Sequence, residues 1–184
     1  MNIKNILIIT IIIFGVSIFA ENLTAQTQTA PKPCLNSEKT KEFDFWLGDW
    51  DVLVNGKKVG ENFVEKKLDG CTLVEKWKAN SGGTGMSLNS FNPATQKWKQ
   101  FYVGSGGSTL EFEGVLEKNV MRMEGSSIGQ NGKIILHKLD FHLLPDETVR
   151  QHWQQSYDKG NKWTTVWDSI YVKKKHEAKK ASSN

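Results

Sequence analysis

The chain has 184 residues and a formal net charge of +4 at pH 7, with 24 Lys and Arg against 20 Asp and Glu. That surplus is terminal: the five lysines at 173, 174, 175, 179 and 180 against Glu177 leave +4, so everything before Lys173 sums to zero. Nucleic-acid binding needs a basic face interleaved with aromatics on the body of the domain, and no such face is present, so that class is excluded.

The first residues carry an export pattern. Lys4 is followed by an almost wholly apolar run, Ile6 to Phe19, and then by a short polar stretch with small residues. The run is short for a membrane span and lacks a basic stop-transfer flank, so a cleaved signal peptide is expected, with a retained N-terminal anchor as the alternative. Cleavage is expected after Ala25, with Ala20 second. Pro31-Lys32-Pro33 stands before Cys34 where a lipid-anchored cysteine needs small and apolar residues, which argues against lipidation. The organisation read from the sequence is a signal peptide at 1–25, a flexible leader at 26–36, a β-barrel domain at 37–173 and a basic tail at 174–184. The tail has the composition of a solvated end. The protein is expected to be periplasmic or secreted, with no membrane contact after cleavage.

Roughly 150 residues remain, one domain by size and enough to bury a core. Asn36 or Ser37 is placed to cap a short helix running through Trp46 and stopped by Gly48. Thereafter the pattern is β, punctuated by turn chemistry such as Asn55-Gly56 and Asp69-Gly70. Ten strands are expected, at roughly 49–54, 57–68, 71–79, 85–92, 97–103, 108–117, 120–126, 133–144, 148–157 and 162–172. Short connections make neighbours antiparallel, and closing the sheet removes two exposed edges. An all-β, antiparallel up-and-down barrel of lipocalin type is therefore expected, its interior able to hold one small ligand. A two-sheet sandwich is the alternative, and it lacks its long crossover loops here.

Alternation assigns the inward faces, because neighbours along a strand point to opposite sides. Lys76 and Lys78 must face water, so Leu73, Glu75 and Trp77 point in. Lys97 and Lys99 turn Trp98, Gln100 and Tyr102 inward. The same logic places Leu110, Phe112, Leu116, Met121, Met123, Ile135, His137, Leu139 and Phe141 inside. Around Val149 to Tyr157 the phase is open: Val149, Trp153 and Tyr157 share one face, and Arg150, His152 and Gln154 the other. The polar intrusions are Glu75, Gln100, Tyr102 and His137; a buried carboxylate such as Glu75 needs a partner, a neutral form or water. Such groups either fix the core by bonding one another or orient a ligand in a wet cavity. Cys34 and Cys71 allow one disulfide in an oxidising compartment, with two separate buried thiols as the alternative.

Several stretches resemble an exported bacterial family of unassigned function with a lipocalin-like barrel, distantly similar to nitrobindin. Phe43-Asp44-Phe45-Trp46-Leu47-Gly48-Asp49-Trp50-Asp51-Val52 is similar to that family's F-D-F-x-x-G-x-W-x-V opening. Gly70-Cys71-Thr72-Leu73-Val74-Glu75-Lys76-Trp77 resembles its G-C-x-L-x-E-x-W strand, and Phe91-Asn92-Pro93-Ala94-Thr95-Gln96-Lys97-Trp98 its aromatic-D-P-x-T-x-x-W hairpin, with Asn92 for the usual Asp. The stretch Trp153 to Trp163 also resembles the family and fits Ser-x-Asp-x-Gly-x-x-Trp, the hairpin of sialidase propellers; one copy is a turn device, not a catalytic one. The resemblance implies a barrel whose end is plugged by Phe43, Phe45 and Trp46 around Gly48 and Trp50, and no particular reaction.

The leading expectation is an exported barrel that binds a small, mostly apolar molecule. Trp77, Tyr102, Phe112, Met121, Met123 and Trp153 would form the wall, with Glu75, Gln100 and His137 as polar groups. The alternatives are an isomerase- or dehydratase-type enzyme using Glu75 and His137 for acid–base chemistry, or a packed interaction module. No cofactor is expected. No zinc spacing is present, His137 and His142 lie on opposite faces, and the surroundings of His137 and His152 do not match nitrobindin's haem segment. The Gly82-Gly83-Thr84-Gly85 loop lacks the lysine and helix of a phosphate site.

Overall fold

The structure, a computed structural model, describes residues 34, 35 and 37–175, all within one compact unit, Lys32–Asn184. The expected signal peptide, most of the leader and the last nine residues of the tail lie outside the described residues.

Ten strands form the domain: β1 (Gly48–Val54), β2 (Lys57–Lys67), β3 (Thr72–Ala79), β4 (Thr84–Asn92), β5 (Lys97–Gly104), β6 (Thr109–Glu117), β7 (Val120–Ile128), β8 (Ile134–Leu143), β9 (Val149–Ser156) and β10 (Thr164–Lys173). Each pairs antiparallel with its sequence neighbours, and β1 pairs with β10 from Trp50↔Lys173 to Leu53↔Ile170, so the sheet is a closed barrel. The sandwich is thereby excluded. Asn55 and Gly56 both take positive φ, the conformation that lets a two-residue turn follow the strand twist.

Before β1 the chain makes two 3₁₀ turns, Lys39–Lys41 and Asp44–Trp46, instead of one continuous helix. No side chain caps the first turn; Thr40 instead donates its hydroxyl proton at the carbonyls of Cys34 and Ser37. Phe43 leaves helical geometry, and Phe43 and Trp46 are both fully buried. Their rings meet Trp98 of β5, Phe141 of β8 and Tyr171 of β10, and Trp50 donates its indole proton to the Trp46 carbonyl. Burial of such rings stabilises by roughly 2–3 kcal/mol each. Gly48 has φ +135, a conformation that costs an L side chain dearly, and it turns the chain from the aromatic cluster into β1. A Cys34–Cys71 disulfide with Cα atoms 4.9 Å apart ties this segment to the entry of β3.

The core consists of the residues around this cluster, among them Trp50, Val52, Leu73, Trp98, Met121, Met123, Phe141 and Val149. They sit where odd-numbered strands begin and even-numbered strands end. One seam is incomplete. The β6–β7 ladder stops at Phe112↔Gly125, although β6 runs back to Thr109 and β7 on to Ile128. Residues 109–111 stay paired to β5 and 126–128 to β8, so the two strands diverge over this stretch.

Candidate ligand-binding site

Lys76 and Lys78 hold the outer face of β3, which directs Glu75 and Trp77 into the barrel. Lys97 and Lys99 do the same on β5 for Gln100 and Tyr102. These side chains open on a cavity of about 580 Å³ built mostly from the later parts of odd strands and the earlier parts of even ones, with Gln151 and Tyr171 reaching it from the packed half. It is within the size range of small-molecule pockets.

Seven of the nine residues expected at the site line it: Glu75, Trp77, Gln100, Tyr102, Phe112, His137 and Trp153. Met121 and Met123 point inward as expected, but they lie fully buried in the packed core and are not part of the lining. The phase of β9 resolves with Gln151, Trp153 and Gln155 on the cavity side, while Tyr157 lies beyond the strand and is exposed.

The room in the cavity comes from glycine. A Cβ on Gly60 would lie 2.4 Å from Cη2 of Trp77, and one on Gly85 only 2.0 Å from the Tyr102 hydroxyl. These two rings therefore lie across bare backbone on the wall and leave the centre free.

A polar chain leads to Glu75. Gln100 Nε2 donates to Asn89 Oδ1 (2.7 Å), Asn89 Nδ2 to Ser87 Oγ (2.9 Å), and Ser87 Oγ to Glu75 Oε2 (2.6 Å). From the other side Asn62 Nδ2 donates to Glu75 Oε1 (3.0 Å). Every proton in this chain points toward the carboxylate. Burial nevertheless pushes the Glu75 carboxyl up to about 7, against the stabilising bonds from Ser87 and Asn62. Burial and the nearby Glu75 charge also raise the hydroxyls of Tyr102 and Tyr171, so both stay protonated at neutral pH. Tyr171 donates to Gln151 Oε1 at 2.9 Å.

His137 forms a second polar group. Its Nδ1 accepts the indole proton of Trp153 at 3.1 Å, and its Nε2 lies 2.8 Å from Ser127 Oγ. An indole N–H only donates, so Nδ1 carries no proton and the proton of the neutral ring sits on Nε2. Burial lowers the His137 pKa, which reinforces the neutral form. His137 therefore donates to Ser127 Oγ, leaving the serine proton for another acceptor. This polarity is the reverse of a serine nucleophile activated by histidine. Glu75 and His137 have no hydrogen-bond partner in common.

Sequence reasoning missed Asn62, Ser87, Asn89, Ser127, Gln151, Gln155, Trp167 and Tyr171. The β4 pattern misdirects outright, because its polar Ser87 and Asn89 are buried while Met86 and Leu88 are 48% and 52% exposed. Only the register with β3, which sets Ser87 opposite Glu75, identifies the inner face.

A second cavity of about 1060 Å³ lies along the diverging stretch of β6 and β7 and shares Gln100, Ser108, Leu110, Phe112 and Ser127 with the first. Among the described residues no group of three or more His, Cys, Asp or Glu is placed to hold a metal ion. The turn after β9 is structural. Asp158 Oδ1 accepts from the Lys162 amide and the Ser156 hydroxyl, Gly160 has φ +92, and Trp163 donates to the Gly160 carbonyl. No protein-family model matches the chain, and no curated protein matches it.

Proposed function

We propose that the protein is an exported, lipocalin-like barrel that binds one small, mostly apolar molecule in the half of its interior that contains Glu75 and His137. The observation that carries this is the 580 Å³ cavity, walled by Trp77, Tyr102, Phe112, Trp153 and Trp167 and carrying two separate polar groups. A filled interaction module has no use for such a space, which exceeds the roughly 300 Å³ lower bound of small-molecule sites. The Phe43–Trp46 cluster belongs to the packed core that fills the other half of the interior. The divergence of β6 from β7 gives a lateral route, since the cavity there shares its lining with the interior one.

Export is supported by the N-terminal pattern and by the Cys34–Cys71 disulfide, which is stable in oxidising compartments. Among the described residues no helix is long and apolar enough to cross a membrane. The barrel wall carries Lys76, Lys99, Arg122 and Glu124 on its outer face, where a lipid-facing barrel needs an apolar band. The motif resemblance to the exported family agrees with this reading.

An acid–base enzyme is disfavoured. Glu75 and His137 are held by different partners, and the proton on Nε2 of His137 is already given to Ser127. Native mass spectrometry of protein purified from its own compartment tests the binding reading. A retained small molecule that leaves on denaturation is expected; an apo mass from every preparation, with no fluorescence response of the cavity tryptophans to any small-molecule class, counts against it.

A further inference from the structure

Cavity electrostatics narrow the ligand class. No Lys or Arg lines the cavity, and among the described residues no cation lies within ion-pair or hydrogen-bonding reach of Glu75. Glu75 is 5% exposed yet its carboxylate receives two proton donors, and the donor chain from Gln100 is directed to support negative charge. A carboxylate offers about four acceptor positions, so roughly two remain for a guest. Around this negative point stand aromatic rings. Trp77 lies two residues along the same face, and its ring meets that of Trp167 edge-on at 6.0 Å. Aromatic faces attract cations, and the attraction grows as water is removed.

We infer that the guest is an amine, bound as its ammonium against Glu75 with its apolar body among Trp77, Tyr102 and Trp167. This rests on the ligand-binding reading above. A carboxylic acid would set a second anion beside Glu75 with no cationic side chain to neutralise it. A neutral guest would leave the carboxylate without a countercharge whenever it is ionised. An ammonium supplies both the missing charge and the donors that the free acceptor positions require.

Acidity gives the inference a signature. The other titratable groups facing the cavity are Tyr102 and Tyr171, both neutral at neutral pH, and His137, held neutral by Trp153 and Ser127. On the adjoining strands Glu61, Glu65, Lys76 and Lys78 belong to the outer face. Glu75 therefore governs the response. With its carboxyl near 7, about a tenth of the molecules are ionised at pH 6 and about nine tenths at pH 8, so ammonium affinity should rise roughly ninefold over that interval.

The test is calorimetric titration of the disulfide-bonded barrel with three matched probes: 3-phenylpropan-1-amine, 3-phenylpropan-1-ol and 3-phenylpropionate. The amine is expected to bind at least tenfold more tightly than the alcohol at pH 8, and the acid not at all. Glu75→Gln should erase the amine's advantage over the alcohol and the pH dependence of amine binding. If that variant fails to fold, the pH dependence of amine binding to the wild type decides by itself. Equal affinity for alcohol and amine, or tight binding of the acid, overturns the inference and leaves the cavity reading standing. Binding of none of the three also overturns it; a retained non-amine ligand in native mass spectrometry would then preserve the cavity reading alone.

Discussion

The two halves of the barrel interior are made from the same ten alternating strands and are rich in the same aromatic residues, yet one is filled and the other is hollow. Around Trp46, rings face rings: Phe43 stacks on Trp46 at 5.1 Å and meets Trp98 and Phe141 edge-on. Around Glu75, rings face glycine: Trp77 lies over Gly60 and Tyr102 over Gly85. Aromatic content therefore does not separate core from site. What the ring lies against does.

If the filled half bears the stability, its loss should be the most damaging change available. Trp46 is fully buried and packs on Phe43, Phe141 and Tyr171, so Trp46→Ala should cost about 5 kcal/mol in urea unfolding. A cost below about 2 kcal/mol would mean that the two halves share the load more evenly. The disulfide belongs to the same half. It closes a loop of 37 residues, and on the chain-entropy account the Cys34→Ser, Cys71→Ser pair should destabilise by about 4 kcal/mol. Neither Trp46 nor either cysteine lines the cavity, and Tyr171 is the lining residue that Trp46 touches, so ligand affinity per folded molecule should fall far less than stability.

The hollow half should instead be costly to keep. Glu75 titrates near 7 when folded and at its ordinary 4.5 when unfolded. Below pH 4.5 both states hold the proton. As pH rises through 7 the unfolded chain has released it and the folded one resists, so stability falls by about 3 kcal/mol. His137 acts in the opposite sense: its lowered pKa means that stability is lost as pH drops below 6.5. Subtracting the unfolding free energies of Glu75→Gln from those of the wild type cancels the histidine. The difference should decline from pH 4.5 to pH 8, and a flat difference would show that Glu75 is solvated in the native barrel.

How much of this was legible without coordinates follows from what period two can report. Lys76, Lys78, Lys97 and Lys99 fix the phase of their strands, which is why Glu75, Trp77, Gln100 and Tyr102 were found. Phase gives the face and says nothing of height along the barrel. Met121 and Met123 have the right face and the wrong height, and they pack into the filled half. Height depends on how each strand is staggered against the next, a property of pairs of strands and not of either alone. The partners of Glu75 were hidden for a related reason. Ser87 and Asn89 alternate with Met86 and Leu88, so hydrophobicity points the wrong way; the cross-strand pair Glu75↔Ser87 corrects it. Ser127 beside Ser126 offers no contrast at all. The missing β6–β7 pairs leave no mark in composition, since Thr109 to Glu111 still read as a strand through their pairing with β5.

Filling the hollow half should separate binding from folding. Gly60→Ala places a methyl group 2.4 Å from the Trp77 ring and 2.5 Å from the Lys78 carbonyl oxygen, so the indole must move toward the cavity and the β2–β3 backbone must shift with it. The expected cost in stability is about 1–3 kcal/mol, typical of overpacking, while ligand affinity falls by an order of magnitude or more. A variant that keeps full affinity would show that Trp77 has another place to go and that the cavity is not shaped by this contact.

The outer wall provides the smallest effect and the control for the rest. Arg150 and Asp168 form a two-point pair across β9 and β10, with Nε–Oδ1 at 2.8 Å and Nη2–Oδ2 at 2.7 Å. Both side chains are more than a third exposed, so the gain in charge attraction is offset by solvent screening and by the entropy of holding two long groups in register. A double-mutant cycle with Arg150→Ala and Asp168→Ala should give a coupling below about 1 kcal/mol that shrinks further in 1 M salt. Ligand affinity should not move, because both residues face away from the lining formed by Gln151 and Trp153. A coupling of several kcal/mol, or a change in affinity, would mean that the wall at the β9–β10 seam controls the cavity, and that interior and exterior are not independent.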